Sequence, residues 1–134
     1  MIDSSPLIAV LDDDDPDHER CLELLETYEG PLLVPTMCVC EISHLVNNRG
    51  GWEFEVRLMA AFALGEIYTE DPHPADFERM AELIATYRDL PLGTVDAAVV
   101  AAAERLEVTQ LATLDRRHFS VVRPRHVEAF ELLP

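Results

Sequence analysis

The chain has 134 residues, 49% of them hydrophobic, which predicts one compact domain over residues 1–134 with a packed core. Its 26 acidic residues outnumber 10 arginines, and there is no lysine, so the formal net charge is −16. The absence of lysine excludes Walker-type phosphate loops and disfavours receiver domains and aspartate phosphatases. No apolar run is long enough for a membrane span, no secretory signal is evident, and three cysteines do not suggest a disulfide framework. We therefore expect a cytoplasmic protein.

Short apolar segments alternate with longer segments of helical period, which predicts a three-layer α/β/α fold around a central parallel sheet. The predicted strands, in chain order, cover residues 1–2, 32–34, 66–69, 110–114 and 130–133. The predicted helices cover residues 6–11, 16–28, 35–48, 52–63, 74–87 and 94–106, the last of them capped by Thr94.

Four acids lie just after predicted strands or in the first turns of the helices that follow them. Asp3 and Asp115 follow strands directly, whereas Glu41 and Asp96 lie early in helices. In an open parallel sheet these positions line one crevice, so the acids can converge despite spacings of 38, 55 and 19 residues. Clustered carboxylates suit Mg²⁺ or Mn²⁺, which activate water and neutralise phosphate charge. In so acidic a chain, each acid alone also fits a helix cap, a solvated face or a turn.

The residues around these acids carry a family resemblance. Four segments resemble the four motifs of PIN-domain nucleases, and most closely those of VapC toxins from type II toxin–antitoxin modules: 2–7, 40–45, 95–98 and 111–119. The resemblance covers essentially the whole chain. It implies a PIN-like fold and an endoribonuclease, dependent on Mg²⁺ or Mn²⁺, that cleaves tRNA or ribosomal RNA loops. It also implies inhibition by a small VapB-like antitoxin and a homodimer.

The same resemblance implies roles for individual residues. It makes Asp3, Glu41, Asp96 and Asp115 the catalytic acids, with Asp3, Asp96 and Asp115 as metal ligands. Ser5 matches a small polar position that supports the first aspartate. Next to this quartet, Arg116 is a candidate to bind an RNA phosphate. We interpret His118 as a surface or supporting group rather than a general acid.

Several other interpretations stay open or are disfavoured. The fold could serve as a non-catalytic protein-binding module, or as a housekeeping RNA-processing nuclease. The acidic run 12–15 lacks the glycine turn and terminal acid of a calcium loop. Cys38, Cys40 and His44 lack a second ligand pair for zinc, and Cys40 is expected to face the core. The surplus acid fits a basic protein partner, high solubility or adaptation to high salt.

Overall fold

The computed structural model describes residues 1–134, except for the side chains at positions 49 and 50. The strands are β1 (Leu33–Pro35), β2 (Tyr68–Glu70), β3 (Gln110–Ala112) and β4 (Glu131–Leu133). The helices are α1 (Ser4–Leu11), α2 (His18–Thr27), α3 (Thr36–Gly50), α4 (Trp52–Leu64), α5 (Pro74–Thr86), α6 (Thr94–Arg105) and α7 (Arg116–Phe119). None of the helices described is both long and apolar enough to cross a membrane.

Two parallel strand pairs, β1 with β2 and β3 with β4, are joined by the first residues of the chain. The Ile2 N–H donates to the Leu33 carbonyl at 2.8 Å, and Ile2 forms a parallel bridge with Ala112 on its other side. The order across the sheet is therefore β2, β1, the N-terminal segment, β3 and β4. Both strand pairs and the Ile2–Ala112 bridge are parallel, and parallel segments present their carboxyl ends at one edge of a sheet.

Helix α6 is the central helix of the core. Seven consecutive residues are buried, from Ala97 to Ala103. A helix that is apolar on every side is stable only when other elements surround it. Five of these seven residues are alanine, and such small side chains allow α5 and the sheet to approach closely. This packing holds the N-terminus of α6 at the carboxyl edge of the sheet.

The structure corrects three details of the sequence prediction. Gly93, not Thr94, is the N-cap of α6, because the Gly93 N–H donates to the Asp96 carboxylate at 2.9 Å and Thr94 is already helical. Strand β3 ends at Ala112, two residues early, because the chain turns into α7, which the sequence did not predict. Cys40 is exposed, and Cys38 is the cysteine of α3 that faces the core.

Candidate active site

Asp3 is the buried centre of the site, with 4% of its surface exposed at the end of the N-terminal segment. Its Oδ2 accepts hydrogen bonds from Ser5 Oγ and Thr113 Oγ1, each at 2.9 Å. Both hydroxyls accept in turn from the loop after β3, Ser5 from the Leu114 N–H and Thr113 from the Asp115 N–H. These chains of hydrogen bonds connect the first acid to the last, and neutral donors make the burial of the Asp3 charge tolerable.

Glu41 lies in the second turn of α3 and is linked to Asp3 through Ser4. Ser4 Oγ lies between two acids, in short contact with Glu41 Oε2 and 3.3 Å from Asp3 Oδ1. A hydroxyl has one proton, and the shorter contact shows that Ser4 donates it to Glu41. Beneath them, burial and the charges of Asp3, Glu41 and Asp96 raise the pKa of the Cys38 thiol. The charges of these three acids therefore all act on one buried thiol.

Asp96 stands in the first turn of α6, where its carboxylate accepts the Gly93 N–H and caps the helix. Burial raises the pKa of Asp96, and the negative charges of Asp3 and Asp115 raise it further. The Gly93 N–H and His118 oppose that shift. The net rise comes first from burial, so the Asp96 charge is unfavourable in the metal-free protein, and a bound cation would relieve that cost.

Asp115 caps the short helix α7 and is held at both oxygens by one residue. The His118 backbone N–H donates to Oδ1 at 3.0 Å, and His118 Nδ1 lies 2.6 Å from Oδ2. His118 Nδ1 also lies 3.7 Å from Asp96 Oδ2. On its other side, His118 Nε2 lies 3.0 Å from the Leu90 carbonyl, in the connection between α5 and α6. His118 therefore lies between two acids that the sequence singled out.

The four candidate acids thus lie in one region of the structure, though not equally close to one another. Among the described residues, the one group of three side chains that offers metal-ligand atoms within 4.8 Å of one another is Asp96, Asp115 and His118. Asp3 and Glu41 lie outside this group. Ser4 contacts both of them, and their charges help to raise the pKa of Cys38. Carboxylate oxygens are the donors that Mg²⁺ and Mn²⁺ require, so the residues present fit a divalent ion.

Sequence reasoning missed the two hydroxyls that touch Asp3 besides Ser5. Thr113 is fully buried, and Ser4 lies 7% exposed beneath Glu41. The sequence shows Ser4 next to Asp3 and Thr113 two residues before Asp115. Their contacts were not, because they depend on how α1, α3 and the loop after β3 meet.

Three of the four arginines near the C-terminus already make hydrogen bonds or ion pairs within the protein. Arg116 donates to the Pro134 carbonyl, Arg123 donates to three carbonyls at the end of α7, and Arg125 pairs with Glu82. Arg117 is exposed, and its side chain makes no hydrogen bond or ion pair with the residues that the structure describes. Among the described arginines that follow Asp115, Arg117 is therefore the one without a side-chain partner, one residue beyond the predicted Arg116.

The cysteines should differ sharply in reactivity. Because the thiolate is the reactive form, burial and the surrounding acids should protect Cys38, and burial also raises the pKa of Cys21. In native protein at about pH 8, we expect iodoacetamide to modify exposed Cys40 alone. All three thiols should react once the protein is unfolded in about 6 M guanidinium chloride. Peptide mass mapping distinguishes them. Native modification of Cys38 at the rate of Cys40 would contradict the description of the buried thiol.

Comparison with known proteins decides the family. Residues 1–123 match the family model of the PIN domain. The chain belongs to the PIN-domain family. Ribonuclease VapC26 of Mycobacterium tuberculosis is 34% identical over 134 residues, which cover 100% of this chain and 99% of that protein. This full-length match confirms the predicted relation to the VapC ribonucleases.

A solved structure supports the fold independently. The crystal structure of Mycobacterium tuberculosis VapC20, described as a sarcin–ricin loop cleaving toxin, superposes with a TM-score of 0.75 at 19% identity. The match covers 82% of this chain and 85% of that chain. The predicted PIN-like α/β fold with parallel strands is thereby confirmed.

Proposed function

We propose that this PIN-domain protein is a metal-dependent endoribonuclease toxin of the VapC type that cleaves a structured loop of tRNA or ribosomal RNA. The observation that supports the proposal is that Ser4 contacts both Asp3 and Glu41 while His118 lies between Asp96 and Asp115, in a chain related to a ribonuclease over its whole length. The VapC20 toxin cleaves the sarcin–ricin loop by its own description, which supports an RNA loop as the substrate class here.

Asp3, Asp96 and Asp115 are the residues that would hold Mg²⁺ or Mn²⁺, and Glu41 would order a water. When bound, such an ion lowers the pKa of a coordinated water and neutralises charge on the cleaved phosphodiester. Ser5 orients Asp3 through its 2.9 Å hydrogen bond. Asp96 remains fixed because its carboxylate also caps α6. These contacts hold the acids in place before substrate arrives, so little reorganisation is needed during the reaction.

Arg117 should contribute more to RNA binding than Arg116. Arg117 is free to take a phosphate, whereas Arg116 must first leave the Pro134 carbonyl. We expect Arg117→Ala to raise KM about 5- to 10-fold, the size of one lost phosphate contact near 1–1.4 kcal/mol, with kcat little changed. Steady-state cleavage of a labelled hairpin measures both constants. If Arg116→Ala raises KM more than Arg117→Ala does, Arg116 is the arginine that binds the phosphate.

The proposed partner is a VapB-like antitoxin with a basic segment. A groove of about 400 Å³ lies between α1, α2 and α4, with a mostly apolar lining. Its lining includes Glu26 and Glu66, and α2 and the loop before it carry several further acids. An apolar floor with acidic surroundings supports binding of an amphipathic helix with arginine or lysine on its edges. An RNA target and such a partner would both place the protein in the cytoplasm.

We also propose a homodimer. Helix α4 exposes apolar side chains that a monomer leaves in water, with Trp52 66% exposed and Val56 57% exposed. Such a patch supports contact with a second copy. Sedimentation velocity would show a species of about 30 kDa, twice the 15.1 kDa chain.

The test of the function is induced expression of wild-type protein and of Asp96→Asn in a bacterial host. We expect growth arrest with wild type only, and RNA ends mapped from those cells should accumulate at one or a few loops. A co-expressed upstream reading frame that restores growth would identify the antitoxin. If the two proteins give identical RNA ends, the result favours a non-catalytic binding module. RNA cleavage without growth arrest would favour a housekeeping nuclease.

A further inference from the structure

The contacts of His118 differ from those of a surface histidine. The side chain is 17% exposed, and its two ring nitrogens face different partners. Nε2 lies 3.0 Å from the Leu90 carbonyl, which can only accept, so Nε2 carries a hydrogen. In the neutral ring the lone pair is then on Nδ1. That lone pair faces the carboxylates of Asp115 and Asp96.

This arrangement is the one by which proteins prepare a histidine to bind a metal. A ligating histidine usually donates its other N–H to a carbonyl or carboxylate, which fixes both the tautomer and the orientation of the ring. Here the Leu90 carbonyl does so.

The spacing of the three side chains fits a shared ion. Neighbouring ligands of an octahedral ion at 2.0–2.1 Å lie roughly 3 Å apart. His118 Nδ1 lies 2.6 Å from Asp115 Oδ2 and 3.7 Å from Asp96 Oδ2, on either side of that value. An ion bound between Nδ1 and Asp115 Oδ2 would replace the direct contact of these two atoms.

We infer that His118 is a nitrogen ligand of the catalytic ion, beside the proposed ligands Asp3, Asp96 and Asp115, and that it makes the site prefer Mn²⁺ over Mg²⁺. This inference rests on the proposed metal-dependent function and specifies its ion. Mg²⁺ is a hard ion that takes oxygen ligands and keeps its waters, whereas imidazole nitrogen suits the first-row transition metals better. A site of carboxylates alone would show little such preference.

The experiment measures the ion directly in the full-length protein. Electron spin echo envelope modulation of bound Mn²⁺ detects a coordinated ¹⁴N, and ¹⁵N-histidine labelling of wild type identifies it as imidazole without any substitution. Isothermal titration gives Kd for Mn²⁺ and for Mg²⁺. The test variant is His118→Gln, whose amide can still reach the Leu90 carbonyl but offers no ring nitrogen. The matched control is His73→Gln, at an exposed histidine before α5.

We expect nitrogen coupling in wild type and His73→Gln, and none in His118→Gln. The Mn²⁺ Kd should weaken about tenfold or more in His118→Gln, whereas the Mg²⁺ Kd should change by less than about threefold. Coupling that persists in His118→Gln, its absence from Mn²⁺-loaded wild type, or no Mn²⁺ binding at all would overturn the inference. RNA cleavage by the same samples separates the two ideas. Coupling without cleavage contradicts only the proposed function, and cleavage without coupling contradicts only the role of His118.

Discussion

Asp96→Asn is expected to reduce RNA cleavage by roughly 10³-fold or more, since losing a ligand charge removes several kcal/mol of transition-state stabilisation. The fold should survive, because the asparagine oxygen can still accept the Gly93 N–H that caps α6. Burial and neighbouring acids raise the pKa of Asp96, so its charge is unfavourable in the metal-free protein. The metal-free variant should therefore unfold at the same temperature as wild type or higher.

Initial rates with Mn²⁺ and thermal unfolding with EDTA measure the two effects. The matched control is Asp89→Asn, where the side chain is 96% exposed and pairs only loosely with Arg88 at 3.9 Å. That variant should cleave like wild type. The assignment of Asp96 fails if Asp96→Asn keeps EDTA-sensitive cleavage near the wild-type rate, or if it loses activity only because it unfolds.

Phe119→Ala should destabilise the protein by about 3–5 kcal/mol, the usual cost of removing a fully buried aromatic ring. Phe119 is the buried residue of α7, and a helix of four residues has little stability of its own. Loss of the ring should also release Asp115 and His118, so cleavage should fall even at temperatures where the variant stays folded.

Urea unfolding at 25 °C measures the change in the free energy of unfolding. Val121→Ala, at a neighbouring exposed position, serves as the control and should change stability by less than about 0.5 kcal/mol. A loss below about 1 kcal/mol in Phe119→Ala would show that α7 is held by contacts other than its buried ring.

The alternation of apolar strands with amphipathic helices determined the α/β class from the sequence alone. The burial of α6 follows from its run of alanine and valine, and the parallel strands follow from the helices between them. The amphipathic pattern predicted burial less reliably for residues near the surface. In α5, Phe77 and Ile84 stand seven residues apart and so share one face of the helix, yet Phe77 is 50% exposed and Ile84 36%, because no other described element covers that side of the helix.

The four candidate acids were also predicted from the sequence. Each follows a predicted strand or lies early in the helix after one, and parallel strands direct those positions to one edge whatever their spacing in the chain. The motif residues around them indicated the family, which the full-length comparison confirmed.

Only the tertiary structure decided which side chains meet. Helix α7 is too short to give a periodic signal, so the sequence did not show that Asp115 caps it and that His118 turns back between Asp115 and Asp96. The engagement of Arg116 by Pro134 spans 18 residues, and the Thr113–Asp3 hydrogen bond spans 110. Periodicity and spacing specify which residues face the crevice, but rotamers and contacts between distant segments specify which of them can bind an ion.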